Sequence, residues 1–184
     1  MLKLLLNLFI FLLSVIFSAV SGQLYQVFNR VDIEKYQGEN FILEGKIFYN
    51  NDLSKNSHAS LSVFFVNNRG KWMKEMIDNK NACDYYKKGD WSSYELKGKI
   101  NNKTKEIAVG TTIAGNESFY LDDFKLFILQ GDRKIEIPVM NGNFEEVSLM
   151  PWQSYSGGNV SAMSISGAKS FSGKKSLLVD KAQK

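Results

Sequence analysis

Phe41-Ile42-Leu43-Glu44-Gly45-Lys46-Ile47-Phe48-Tyr49 decides the fold. Phe41, Leu43, Gly45, Ile47 and Tyr49 fall on one face of an extended chain, and Ile42, Glu44, Lys46 and Phe48 fall on the other. That period of two belongs to a strand with one face in a core. The same reading extends outward. Asn50 to His58 is a polar loop, Ala59 to Val66 a buried strand, and Asn67-Asn68-Arg69-Gly70 a turn joining it to a strand over Lys71 to Ile77. Asp78 to Asp90 reads as a long polar loop. Strands follow at Trp91–Ile100, at the alternating residues Ile107, Val109, Thr111 and Ile113, and at Phe119–Leu129. Turn signals lie at Asn101-Asn102, Gly115-Asn116 and Gln130-Gly131-Asp132. Extended segments recur every ten to fifteen residues and none keeps a helical period, so the fold class is all-β, an antiparallel β-sandwich of the jelly-roll kind.

Composition agrees with a packed β-rich core. The chain has 184 residues, 13% of them aromatic, with 14 Gly and 2 Pro. A net charge of +4 comes from scattered Lys residues, without the clustered basic face that a nucleic-acid-binding protein needs. Cys83 is the single cysteine, which excludes an intramolecular disulfide and leaves stability to packing.

The amino terminus reads as an export signal. Lys3 supplies the positive start, Leu4 to Phe17 is almost continuously apolar, and Ala19-Val20-Ser21 offers small residues for a signal peptidase. Residues 1–22 are therefore expected to be removed, leaving a secreted, periplasmic or cell-surface protein with no membrane span; the alternative is an uncleaved anchor. A first unit, 23–132, holds the strands above. Residues 133–184 look like the start of a second, incomplete unit, in which Ile135 to Val139 is a short apolar link, Ser154 to Gly173 is rich in Gly, Ser and Asn, and Lys175 to Val179 is a strand. This tail is too short to close a sandwich alone. Either it packs against the first unit, or the chain is the front of a longer protein.

Three pieces of the tail, Asn141-Gly142-Asn143-Phe144-Glu145-Glu146, Pro151-Trp152 and Gly173-Lys174-Lys175-Ser176-Leu177-Leu178-Val179, resemble the opening of carbohydrate-binding jelly rolls of the galactose-binding-like class. The first unit resembles the later two-thirds of such a domain: Tyr36-Gln37-Gly38 leading into Phe41–Ile47, then Trp91-Ser92-Ser93-Tyr94, then Phe119-Tyr120-Leu121-Asp122-Asp123 as the closing strand. The first unit lacks the Asn-Gly-x-Phe-Glu opening, and the second lacks the closing Leu-Asp-Asp strand. The resemblance implies carbohydrate binding, with packed positions for Trp91 and Trp152. It also implies a structural calcium whose ligands would include Asp122 and Glu145, brought together only if the two units exchange strands. Such domains accompany catalytic regions of exported bacterial hydrolases. An alternative to a free-standing binding module is thus an accessory region of a larger glycosidase, serine peptidase or esterase.

Catalytic chemistry finds no carrier in the sequence. His58 is the single histidine, and no Gly-x-Ser-x-Gly elbow presents a nucleophile to it. His58 and Cys83 cannot make a zinc site. Asp122-Asp123 and Glu145-Glu146 are sequence neighbours, and on a strand neighbours point to opposite faces, so neither forms the facing carboxyl pair of a glycosidase. Ser156-Gly157-Gly158-Asn159 lacks the lysine and helix of a phosphate loop. Matches to the glycosylation pattern at Asn102, Asn116 and Asn159 are those expected in any Asn-rich chain. The aromatic residues remain. Sugar rings stack their C–H faces on exposed aromatic rings while polar neighbours bind the hydroxyls. Trp72, after the Asn67–Gly70 turn, and Tyr85 and Tyr86, in the long polar loop, are the expected ligand-binding residues.

Overall fold

The computed structural model describes residues 24–49, 57–78, 90–115, 117–156 and 162–180. The segment 1–22, Cys83, Tyr85 and Tyr86 lie outside them. Eleven strands are found among the described residues, with a single 3-10 turn at Glu34–Tyr36. They are β1 (Leu24–Asp32), β2 (Asn40–Tyr49), β3 (His58–Asn67), β4 (Trp72–Asp78), β5 (Trp91–Lys99), β6 (Thr104–Ala114), β7 (Phe119–Gln130), β8 (Arg133–Ile137), β9 (Gln153–Ser156), β10 (Ala162–Ser166) and β11 (Ser176–Asp180). One sheet runs β4-β3-β6-β1-β9. The other runs β10-β11-β7-β2-β5, with β8 also on β7, and every pairing is antiparallel.

The alternation in the sequence explains the two layers. Phe41, Leu43 and Ile47 of β2 are fully buried, as are Leu126, Ile128 and Leu121 of β7 and Leu61, Val63 and Phe65 of β3. Phe41 meets Phe65 from the opposite sheet edge-on, with ring centroids 6.4 Å apart. Each such side chain contributes about 1.5–3 kcal/mol by leaving water. Glycine interrupts the β2 face at Gly45 for a physical reason. The β2–β7 register slips there, so Asp123 and Phe124 bulge opposite one residue. A Cβ on Gly45 would lie 2.9 Å from Leu61 and 3.2 Å from the Phe124 ring, and Asp123 takes the positive φ, +52°.

The segment 133–184, read from sequence as the start of a second unit, contributes strands to both sheets. β9 pairs with β1, and β8 and β11 share one edge of β7 end to end: β11 opposite Phe119–Leu121, β8 opposite Leu126–Gln130. Between them the Phe124 N–H donates to the Gly142 carbonyl at 2.9 Å. Phe124, Phe144 and Trp152 then form one aromatic cluster, with centroids 4.9–6.1 Å apart. The described strands of the tail thus pack on those of the first unit.

Two expectations needed correction. The apolar link at Ile135–Val139 is largely a strand, because its residues complete the hairpin β7–β8. The Gly-, Ser- and Asn-rich stretch contains β9 and β10, whose partners supply the order that their composition does not. β1, which the sequence reading left unassigned, is an interior strand of its sheet, between β6 and β9.

Candidate functional site

Period two on β1 turns Tyr25, Val27 and Val31 toward the core, leaving Gln26, Phe28 and Arg30 on the outer face of the five-stranded sheet. The neighbouring strand β6 places Thr112, Gly110 and Ala108 opposite them, and β3 continues the rows with Ser60, Ser62 and Phe64. Small residues on the middle strand therefore make a low floor. Gly110 is required there, since a Cβ would meet the Val27 carbonyl oxygen at 1.9 Å. A register shift between Phe64 and Val66 bends β4, the edge strand. Trp72 thereby leans across the floor to meet Phe28 and Phe64 edge-on, at centroid distances of 5.2 and 5.7 Å. The Arg30 guanidinium lies over the Trp72 ring at 4.9 Å.

At the other side of the sheet, β9 pairs Gln153 with Phe28 and Tyr155 with Gln26. Trp72 is 45% exposed and Tyr155 65%. Between them lies a cavity of about 540 Å³ lined by Gln26, Phe28, Arg30, Trp72, Gln153 and Tyr155, among others. Gln26 and Arg30 are four residues apart on one strand, so the trough extends about 13 Å along it. Two exposed rings with amide and guanidinium groups between them are the materials for binding a sugar chain: apolar faces to stack on, donors and acceptors for ring hydroxyls. In the row of Gln26 the hydroxyls of Ser60 and Thr112 are buried and without a hydrogen-bond partner.

Of the residues expected from sequence, Trp72 stands at this cavity, whereas Tyr85 and Tyr86 fall outside the described residues. Sequence reasoning missed Phe28, Arg30 and Tyr155. The alternation of Leu24–Asp32 was there to find β1. The four residues of β9, in a Ser-rich stretch, carry too little periodicity to mark Tyr155 as facing outward.

Asp122 and Glu145 both accept hydrogen bonds from one loop, that of Phe171 to Lys175. Asp122 is fully buried: its Oδ1 accepts the Asp123 N–H at 2.7 Å, and its Oδ2 accepts the amides of Phe171 and Ser172 at 2.8 and 3.2 Å. Glu145 Oε1 accepts the amides of Lys174 and Lys175 at 2.7 and 2.8 Å. Burial pushes the Asp122 carboxyl above its ordinary range against the pull of those three amides, with the charge of Asp123 adding to the rise. The amides of Lys174 and Lys175 hold Glu145 below its range, and the two lysine charges assist. Calcium needs six to eight oxygens turned toward it. Here the donors surrounding both carboxylates are amide N–H groups, and no group of three or more His, Cys, Asp and Glu side chains suited to a metal occurs among the described residues. The arrangement fits a loop anchor better than a cation cage.

That loop roofs the outer face of the second sheet. Phe171 packs on Trp91 at 6.0 Å, and the Lys46 ammonium lies 4.4 Å over the Phe171 ring. Trp91 also touches Phe48 at 5.5 Å, so it is partly buried, and Trp152 is 3% exposed. Trp152 donates its indole N–H to the carbonyls of Met140 and Asn141 at 3.2 and 3.0 Å.

The fold so described is an all-β antiparallel sandwich, and comparison with known proteins adds little to it. No family model and no curated protein matches the chain. Among solved structures, it is similar to the CBM22-1–GH10 modules of the Clostridium thermocellum N-terminal endo-1,4-beta-D-xylanase 10B, a structure complexed with xylohexaose. The identity is 18%, the TM-score 0.42, and the match covers 56% of this chain and 19% of that one. A similarity of this size says nothing of what this chain binds.

Proposed function

We propose that this protein is an exported, non-catalytic module that binds polysaccharide on the outer face of the five-stranded sheet. The observation that carries the reading is the trough between Trp72 and Tyr155, two exposed rings on opposite sides of a floor of small residues, with amide side chains between them. A sugar ring stacked on either aromatic leaves its hydroxyls within reach of Gln26 and Gln153.

Titration of the purified protein with soluble β-glucan, xylan and host-type glycans, followed by tryptophan fluorescence and calorimetry, tests this directly. Binding to at least one chain is expected. Trp72→Ala and Tyr155→Ala should each weaken it by about tenfold, roughly 1.4 kcal/mol, in keeping with the loss of one stacking contact. Tyr155→Ala should leave the melting temperature unchanged, because the ring is mostly exposed. Failure of every polysaccharide to bind, or parent-like binding by both variants, would overturn the reading.

A further inference from the structure

Among the described residues lining the trough, Arg30 is the one that is charged. A guanidinium in a sugar site ordinarily invites an acidic chain, because its planar fork matches a carboxylate in two parallel hydrogen bonds. Here a carboxylate of the protein itself competes for that fork. The Arg30 guanidinium lies over the Trp72 ring, 4.9 Å from its centroid, and its Nη1 stands 3.6 Å from Oε2 of Glu106 on β6. Asp32, two residues along β1 on the same face, sits directly opposite Glu106 in the strand register. Glu106 is thus the carboxylate paired with the guanidinium, while Asp32 Oδ1 accepts the Glu34 N–H at 3.0 Å. The other polar residues described in the lining, Gln26, Gln153, Ser154 and Tyr155, are uncharged.

From this we infer that Glu106 is a specificity-determining residue: it neutralises Arg30, so that the trough accepts neutral polysaccharide chains and excludes uronate-bearing ones. The inference rests on the carbohydrate reading of this face and adds the class of chain. A carboxylate on the ligand would have to compete with Glu106 for the guanidinium while facing the Glu106 charge. Like charges at such separations repel, and the repulsion is screened by salt. A neutral chain meets no such barrier. Arg30 then acts as a positioning residue, a cationic plate holding the indole across the floor.

The experiment compares soluble neutral β-glucan and xylan with polygalacturonate, by calorimetry on the full chain at low and high sodium chloride. Parent protein should bind a neutral chain with little dependence on salt and polygalacturonate at least about tenfold more weakly. Glu106→Gln should raise affinity for polygalacturonate about tenfold at low salt, lose that gain at high salt, and leave the neutral chain unaffected. Adding Arg30→Gln to Glu106→Gln should abolish the gain. The Glu106 side chain is 30% exposed, so its amide replacement should fold, and a melting curve for each variant checks this. Parent protein that prefers polygalacturonate, or a folded Glu106→Gln protein with unchanged preference, overturns the inference while the carbohydrate reading stands. Absence of binding to every chain overturns both.

Discussion

At the scale of single residues, the outer face of the five-stranded sheet holds a local conflict. Ser60 and Thr112 pair across β3 and β6 with buried hydroxyls that have no partner. A buried unpaired hydroxyl carries a desolvation cost of about 1–3 kcal/mol, and an apolar group of the same shape removes that cost. Ser60→Ala combined with Thr112→Val is therefore expected to hold or raise the melting temperature in calorimetry. A fall of several degrees would mean that the hydroxyls are bonded in solution. Gly110 is the opposite case, a residue dictated by backbone proximity alone. Trp72 could be singled out in the sequence because it follows a turn and begins a strand. Arg30 could not, because its importance comes from Trp72 and Glu106, which lie 42 and 76 positions away in the sequence.

The elements differ in how clearly the sequence announces them. β2, β3, β5, β6 and β7 alternate apolar and polar residues over nine to twelve positions, enough for the pattern to overcome local noise. β8, β9 and β10 have four or five residues and exist because an adjoining strand edge supplies their hydrogen bonds. The loop before β11 likewise depends on distant anchors, Asp122 and Glu145, and their pH responses have opposite signs. Glu145 titrates lower in the folded protein than its ordinary 4.5, so its stabilising contribution is complete above that pH and is lost as pH falls through the lowered folded value. Asp122 titrates higher than its ordinary 3.8, so the fold favours its protonated form, and stability falls as pH rises from 3.8 through the raised value. Thermal melts across the acid range should show the gap between parent and Glu145→Gln closing toward low pH, whereas a gap constant with pH would contradict the anchor role. The same loop gives the test for calcium. With amide protons on both carboxylates, chelation should leave the melting temperature unchanged, and a clear drop would restore a cation to this place.

For the whole molecule, the tail is the decisive segment. It adds Phe144, Trp152, Leu177 and Val179 to the core and covers free edges of β1 and β7. Removing such large buried side chains costs several kcal/mol in total, comparable with the 5–15 kcal/mol that holds a domain together. A protein ending at Ile137 should consequently fail to melt cooperatively and should bind a hydrophobic dye, while the 184-residue chain shows one sharp transition. A cooperative, dye-free shortened protein would mean that the first unit is self-sufficient. No helix among the described residues is long and apolar enough to cross a membrane. Export is tested by sequencing the amino terminus of secreted protein, expected near Gln23.

The sequence by itself determined the fold class and most of the strands, because alternation is a local property: a strand with one face in a core must repeat every two residues wherever it lies. It also singled out Trp72. Only the tertiary structure decided which sheet each strand joins, that the tail closes the first unit, and that Asp122 and Glu145 hold one loop. It alone set Tyr155 across a trough from Trp72, with Arg30 and Glu106 between strands. Those facts depend on pairing between residues far apart in the chain, and periodicity along one strand carries no information about its partner.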